Sequence, residues 1–507
     1  MRTVIVGIDG LDGRQLERYA PSLPTLTALR DRGVEAPLES TLPPSPGCAW
    51  PSLYTGADPS HHGVYGAVAY DAYPDEPRPA SRIDVRRPAL WDYLSSEGAP
   101  SVVLDVPVTH PADPIHGVLV PGAVAPGTEP GHPEGIRAEL GEPFDESSPD
   151  SPTVEALVSS VDRRRRAVRR LLERTDWELA VLRVGVLAEA IDRLDGVELE
   201  ALYEAVDRLV DDVREAAGEG TNVVCCSTHG AGPVTGYRIH VNEVLRELGF
   251  LESAAGAGPQ PPSFEVVDAA PQGPLERAAQ VGSRLLARIG LDAALERLGS
   301  AVRGPVDERV DWYTSLAYCP DGATPGVRIN LAGREPYGTV PPSRYETVCA
   351  ELVSQLSALE TPDGEPAFEF VCRRDHLYEG PFLERAPDVF AIPAGGTHTV
   401  SAALPDRRFE PVDTLGPTLE GVFVGAGPGV TGTLDRPRLS VVDVAPIVMA
   451  LLGRPVPDLM TGSAPDELLV DSVVRARYDD HVYGAAATDP HFDDGDVCSR
   501  LEDVDFR

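Results

Sequence analysis

Short apolar runs that end in a polar or glycine-containing turn recur along this chain. They are Val4 to Ile8 closed by Asp9-Gly10, Ser101 to Val106, Leu179 to Val186, Thr221 to Ser227 closed by Thr228-His229-Gly230, and Gly421 to Gly425. A run that is apolar at successive positions must be covered on both faces. Helical patterns alternate with these runs at Pro24 to Arg32, Thr153 to Arg174 and Leu199 to Ala216, and a last one spans Val442 to Leu452. The alternation predicts an α/β fold, a doubly wound and mostly parallel sheet with helices on both faces. Ligand sites in such sheets form at the carboxyl ends of the strands, where Asp9 stands. A carboxylate at that place also suits the cap of a following helix.

Between the runs the chain is uneven. Residues from about Pro121 to Pro152 are rich in Pro, Gly and acids and read as a long surface excursion. From Ala254 to about Pro305, Gly/Pro/Ala-rich linkers flank a helical stretch, which reads as a small inserted cap. The expected organisation is therefore an α/β core in two parts, residues 1–253 and 306–475, a cap at 254–305, and a mobile acidic tail at 476–507. In the second part, strands are expected at Ser315 to Tyr318, Val327 to Leu331, Phe368 to Cys372 and Asp388 to Ile392, with a helix at Ser343 to Leu356.

Charge limits the partners. The chain of 507 residues carries 44 basic and 80 acidic side chains, a net −36, and every basic one other than histidine is arginine. Such a surface suits high ionic strength, where the Debye length falls to roughly 3 Å at 1 M salt and like charges repel less. It argues for a halophilic protein and against nucleic acid or an anionic membrane as partner. No segment reaches the roughly 18 consecutive apolar residues of a membrane span. The opening VIVGIDG reads as a strand and not as a signal peptide, so a cytoplasmic location is expected. The seven cysteines have no metal-type spacing and read as buried thiols. The run Arg163 to Arg166 reads as an ion-paired helix face.

The stretch STLPPSPGCAWPSLYTGADPSHHGVYG, Ser40 to Gly66, suits a loop leading into a short helix that presents its first turn to a ligand. Together with VIVGIDGLDG, STHGAGPVTGYRIHVNEVLRELGFL, VDWYTSLAY with GVRINLAGREPYGTV, EGVFVGAGPGV and SVVDVAPIVMALLGRPVPDLMTG, it resembles the alkaline phosphatase superfamily, specifically the type I phosphodiesterase and nucleotide pyrophosphatase branch. The resemblance implies an alkaline-phosphatase-like doubly wound sheet. It also implies two metal ions, usually zinc, and hydrolysis through a covalent intermediate on Thr or Ser. In that chemistry two cations about 4 Å apart clamp the attacking and leaving oxygens.

Carried over position by position, the resemblance places Asp9 as the first metal ligand and His229 as the histidine of an Asp-His pair whose aspartate is here Thr228. The nucleophile position holds Pro46, with the hydroxyl of Ser45 adjacent. Cys48 lies nearby, outside the Cys-x-Pro-x-Arg pattern of sulfatases. The second metal's Asp and His positions hold Leu187 and Ile191; a short insertion would instead offer Asp192, then Gly196. The last histidine position holds Pro417, and His398 is the nearest imidazole upstream.

Three functions are consistent with this residue set. The first is a catalytically weak or inactive member with a pocket for a phosphate ester or other anionic small molecule. The second is a metal-dependent phosphoester or sulfate-ester hydrolase with a rearranged site, holding zinc or manganese at no more than one place through Asp9, His229 and Asp192, with Ser45 or a metal-bound water attacking. The third is a scaffold for a protein partner. No other cofactor is expected. For Asp9 and His229, the readings as helix cap and as hydrogen-bonded core histidine stay open beside metal binding.

Overall fold

The computed structural model describes residues 1–69, 78–122, 131–140, 153–190, 194, 196–254, 309–320, 325–431 and 438–478. The cap expected at 254–305 lies outside them from residue 255 on. So do Asp192, most of the expected 121–152 excursion and the tail from 479.

The central sheet has eight strands: β1 (Arg2–Ile8), β2 (Val34–Glu39), β3 (Ser101–Val106), β4 (Gly117–Pro121), β5 (Leu179–Val184), β6 (Thr221–Cys226), β7 (Glu420–Ala426) and β8 (Leu439–Ser440). Their order is β8-β2-β7-β6-β1-β5-β3-β4. All neighbours run parallel except β7, which is antiparallel to both β2 and β6. The first strand therefore lies in the middle, between β5 and β6, and its carboxyl end opens beside theirs.

Side-chain alternation explains why the sheet is covered twice. Val4, Val6 and Ile8 of β1 pack with Ala180, Leu182 and Val184 of β5 and with Val223 and Cys225 of β6, under helices α2 (Pro24–Arg32), α5 (Val154–Arg174) and α6 (Gly196–Ala217). Ile5, Val181, Val224 and Cys226 face the other way, toward α3 (Pro46–Thr55), α4 (Leu90–Ser96) and α7 (Val444–Leu451). These two cores are the doubly wound arrangement that the apolar runs require. The arginine run on α5 is ion-paired: Arg165 reaches Asp212 of α6 at 3.0 Å, and buried Arg164 reaches Asp105 at 3.3 Å.

The later strands depart from the expected return to the central sheet. Ala317–Tyr318, Gly326–Ile329, Val389–Pro393 and Phe368–Arg373 form a separate four-stranded antiparallel sheet, backed by the helix Tyr345–Ser357 and filled by its own apolar cluster. Tyr237–His240 pairs with Thr399–Ser401 and Phe409–Pro411 in a further small sheet that shares this cluster. The chain rejoins the central sheet through the ribbon of Thr414–Thr418 against Gly230–Val234, followed at once by β7. Ser253 pairs with Val310 and Ala254 with Arg309 in a two-stranded antiparallel ribbon.

Candidate functional site

The site is built where β1, β5 and β6 end together. Gly7 stands opposite Arg183 in the parallel register, and the chain past Ile8 is tied to both neighbours: Asp9 N–H donates to Val184 O at 3.1 Å and Gly10 N–H to His229 O at 3.2 Å. Asp9 is fully buried, and three side-chain donors hold its carboxylate. Arg183 Nε donates to Oδ2 at 2.6 Å; Trp50 Nε1 and Thr228 Oγ1 both donate to Oδ1, at 3.0 and 3.2 Å. Asp9 therefore does not cap the next helix. Asp12 does so, accepting from Gln15 N–H at 2.9 Å.

Two glycines make room for this arrangement. A Cβ on Gly7 would stand 2.2 Å from Trp50 Cη2, so only glycine lets the indole cross β1 and reach Asp9. A Cβ on Gly185 would stand 2.3 Å from Arg183 Nη2. The guanidinium is almost completely buried, its long side chain folded back over the backbone that follows β5.

His229 follows the same strand end and is 4% exposed. Its Nδ1 lies 3.0 Å from Gly230 O, and a carbonyl can only accept, so Nδ1 carries the proton. Nε2 is left as a lone pair with no hydrogen-bond partner among the described residues. Ser227 Oγ donates to His229 O and fixes the turn that presents the ring.

Helix α3 approaches from the second face. Ser45 is its N-cap residue, in extended conformation, and Pro46 takes the first helical position, where its lack of an N–H costs nothing. Ser45 accepts at its carbonyl from Cys48 N–H and Ala49 N–H, at 3.0 and 2.8 Å, while its Oγ is buried without a partner among the described residues. A Cβ on Gly47 would meet the Gly66-Ala67 backbone at 2.8 Å, so that loop lies directly on the first turn. Burial pushes the Cys48 thiol up to about 12, against the hydrogen bond from Thr41, which removes it as a nucleophile near neutral pH. His62 is structural: Nδ1 accepts from Val64 N–H at 3.2 Å and Nε2 meets Ser52 Oγ at 2.8 Å. Burial lowers its pKa to about 3.

The remaining positions carry no ligand. Leu187 is fully buried in the apolar core beneath α6. Pro417 sits in the ribbon opposite Ala231. His398 lies in the antiparallel lobe, where its Nδ1 accepts from Tyr237 N–H at 2.9 Å in a space opened by Gly236. The structure thus brings Asp9, Thr228 and His229 together, adds Arg183 and Trp50, and places His398 elsewhere. Arg183 is the member that residue spacing missed. Its signal was there: a lone arginine inside the apolar strand LAVLRV.

The metal implied by the resemblance does not fit these residues. A carboxylate ligand must come within about 2.2 Å of zinc, and both Asp9 oxygens are already held by donors, one of them a cation. His229 Nε2 is suitably aimed as a free lone pair, but among the described residues no three His, Cys, Asp or Glu side chains cluster as a metal site.

Comparisons with known proteins agree with this architecture. Residues 3–417 match the family model described as type I phosphodiesterase / nucleotide pyrophosphatase. Phosphonoacetate hydrolase from Sinorhizobium meliloti 1021, solved with phosphonoformate, superposes with a TM-score of 0.58 at 16% identity, over 89% of this chain and 95% of that one. Human ectonucleotide pyrophosphatase / phosphodiesterase 5 gives 0.54 at 11% identity, over 93% and 100%. An inactive variant of the murine protein in complex with AMP gives 0.52 at 12%, over 92% and 100%. At these identities the structures speak for the fold. No curated protein sequence matches the chain. With its doubly wound sheet, its strand-end Asp9 and the family match over residues 3–417, the chain belongs to the type I phosphodiesterase / nucleotide pyrophosphatase family of the alkaline phosphatase superfamily.

Proposed function

We propose that this chain is a catalytically weak or silent member of its family that keeps a site for a phosphate ester or a similar small anion. The observation that carries the reading is the buried Asp9, whose carboxylate faces the Arg183 guanidinium at 2.6 Å where catalysis would need a metal. Pro46 at the start of α3 supports it, because the position that should supply an attacking hydroxyl has none. Losing the key groups of a catalytic unit costs around 10⁶ in rate. Small anions in the structural neighbours, phosphonoformate and AMP, support the ligand class.

A second reading rests on Ser45. Its buried Oγ has no partner among the described residues, which favours a hydroxyl kept available beside the first turn of α3, and hence a residual hydrolase in which Ser45 attacks. One assay separates the two. Protein purified in high salt is loaded with zinc or manganese and given bis-(nitrophenyl) phosphate. The silent reading expects turnover no faster than the buffer control; turnover that disappears in both Asp9→Ala and Ser45→Ala establishes the hydrolase. Consistent with the composition, we place the protein in a salt-rich cytoplasm and read 254–305 as a cap added to the α/β core.

A further inference from the structure

We propose that Arg183 is a built-in cation that replaces the metal at Asp9, so that the strand-end site is assembled and charge-balanced without any divalent ion. The inference rests on the family reading above but concerns the charge balance of the site rather than its turnover.

Several independent observations carry it. Asp9 is completely buried, and a carboxylate out of water requires a compensating positive charge. Arg183 supplies that charge at 2.6 Å, from the adjacent strand and at the register position opposite Gly7. The arginine is itself buried, so bulk salt screens the pair little, which suits a protein of this composition. Gly185 provides the space that the guanidinium fills, since a Cβ there would stand 2.3 Å from Nη2. Trp50 and Thr228 both donate to the other carboxylate oxygen, so a cation approaching Oδ1 would have to displace a donor. The aspartate expected beside His229 is Thr228, and a hydroxyl donating to Asp9 suits an arginine-balanced site better than a second carboxylate would. That second charge would leave one guanidinium facing two anions.

A divalent ion at Asp9 would have to expel Arg183 from a fitted cavity or sit beside it against charge repulsion. Neither is favoured when the carboxylate is already neutralised.

The test uses the full chain in high salt. After saturation with zinc and dialysis, metal content is measured, and thermal unfolding is followed with added zinc and with chelator. The expected result is less than stoichiometric zinc and the same melting temperature in both conditions. Asp9→Asn, Arg183→Met and the double variant then complete a cycle. Arg183→Met is expected to lower the melting temperature more than the double change does, because it leaves the buried Asp9 carboxylate with neutral donors alone and the double change does not. One zinc per chain that is lost on Asp9→Asn overturns the proposal, as do additive losses in the cycle. If a single variant fails to fold, the zinc content and melting of the unmodified protein still decide. Zinc uptake without hydrolysis would refute the built-in cation and leave the silent reading intact; hydrolysis without zinc uptake would do the opposite.

Discussion

Asp9 and Asp388 are both fully buried carboxylates held by arginine, yet they belong to different kinds of place. Asp388, in the antiparallel lobe, takes both terminal nitrogens of Arg334 at 2.7 and 2.6 Å, Tyr345 hydroxyl at 2.8 Å, Ile329 N–H at 2.7 Å, and Arg374 at 3.2 Å. Burial alone would raise its pKa, but the bidentate Arg334 and the neighbouring arginines hold it below the usual carboxylate value. Asp9, at the mouth of the central sheet, has one arginine contact through Nε and two neutral donors. Asp388 is a structural knot, closed on every side within one lobe. Asp9 is balanced by an arginine too, but at a strand end where Gly10 N–H is tied to His229 O, a residue whose Nε2 has no hydrogen-bond partner among the described residues. A position that elsewhere in this family would face a metal has here taken on the chemistry of a structural ion pair.

The largest loss should come from Asp388→Ala, which removes the one acceptor shared by Arg334, Arg374, Tyr345 and Ile329 N–H; about 5 kcal/mol is expected in chemical denaturation. Asp9→Ala removes the carboxylate that Arg183 Nε holds and should cost about 3 kcal/mol, with no rescue by zinc. An Asp9 variant that proves neutral would end the analogy between the two sites. Gly185→Ala should cost about 2 kcal/mol, because the new methyl drives the Arg183 guanidinium from its place. The exposed pair of Arg2 and Asp176, at 3.4 Å, is the control: Arg2→Ala should change stability by less than about 1 kcal/mol and by nothing measurable in high salt.

Acid titration sharpens the same contrast. The folded pKa of Asp388 lies below its ordinary 3.8, so its contribution is complete above that value and is lost as pH falls through the folded pKa. His62 acts earlier. Its folded pKa, about 3, lies below the ordinary 6.5, so the unfolded chain binds the extra proton between those values and stability falls as the solution is acidified. Between pH 6.5 and 5 this amounts to about 2 kcal/mol, and His62→Asn should flatten that part of the stability curve without moving the limb below 3.8.

Much of the fold was legible because it follows from local rules. Pro24 and Gly33 bracket a helix that the structure places at Pro24–Arg32, and Thr153 caps the helix that begins at Val154. The continuous apolar runs gave the strands of the doubly covered sheet within a residue or two. The strands after Ser315 stand where their apolar runs place them, but which sheet they join was not legible, since a short apolar run does not encode its partner. The site divided along the same line. Asp9, Pro46 and Thr228 could be read from spacing in one segment each. The guanidinium on Asp9 comes from a residue 174 positions away, and no local pattern pairs the two.

The amino-acid sequence by itself therefore determined the doubly wound sheet and the family, because these depend on periodicity and on residue identity at single positions. Tertiary structure alone decided what Asp9 does. Only the parallel register of β1 against β5, with Gly7 opposite Arg183 and Gly185 leaving space behind it, sets the charge of one strand against the charge of another. Both groups are out of water there, so their pairing sets the chemistry of the strand-end site.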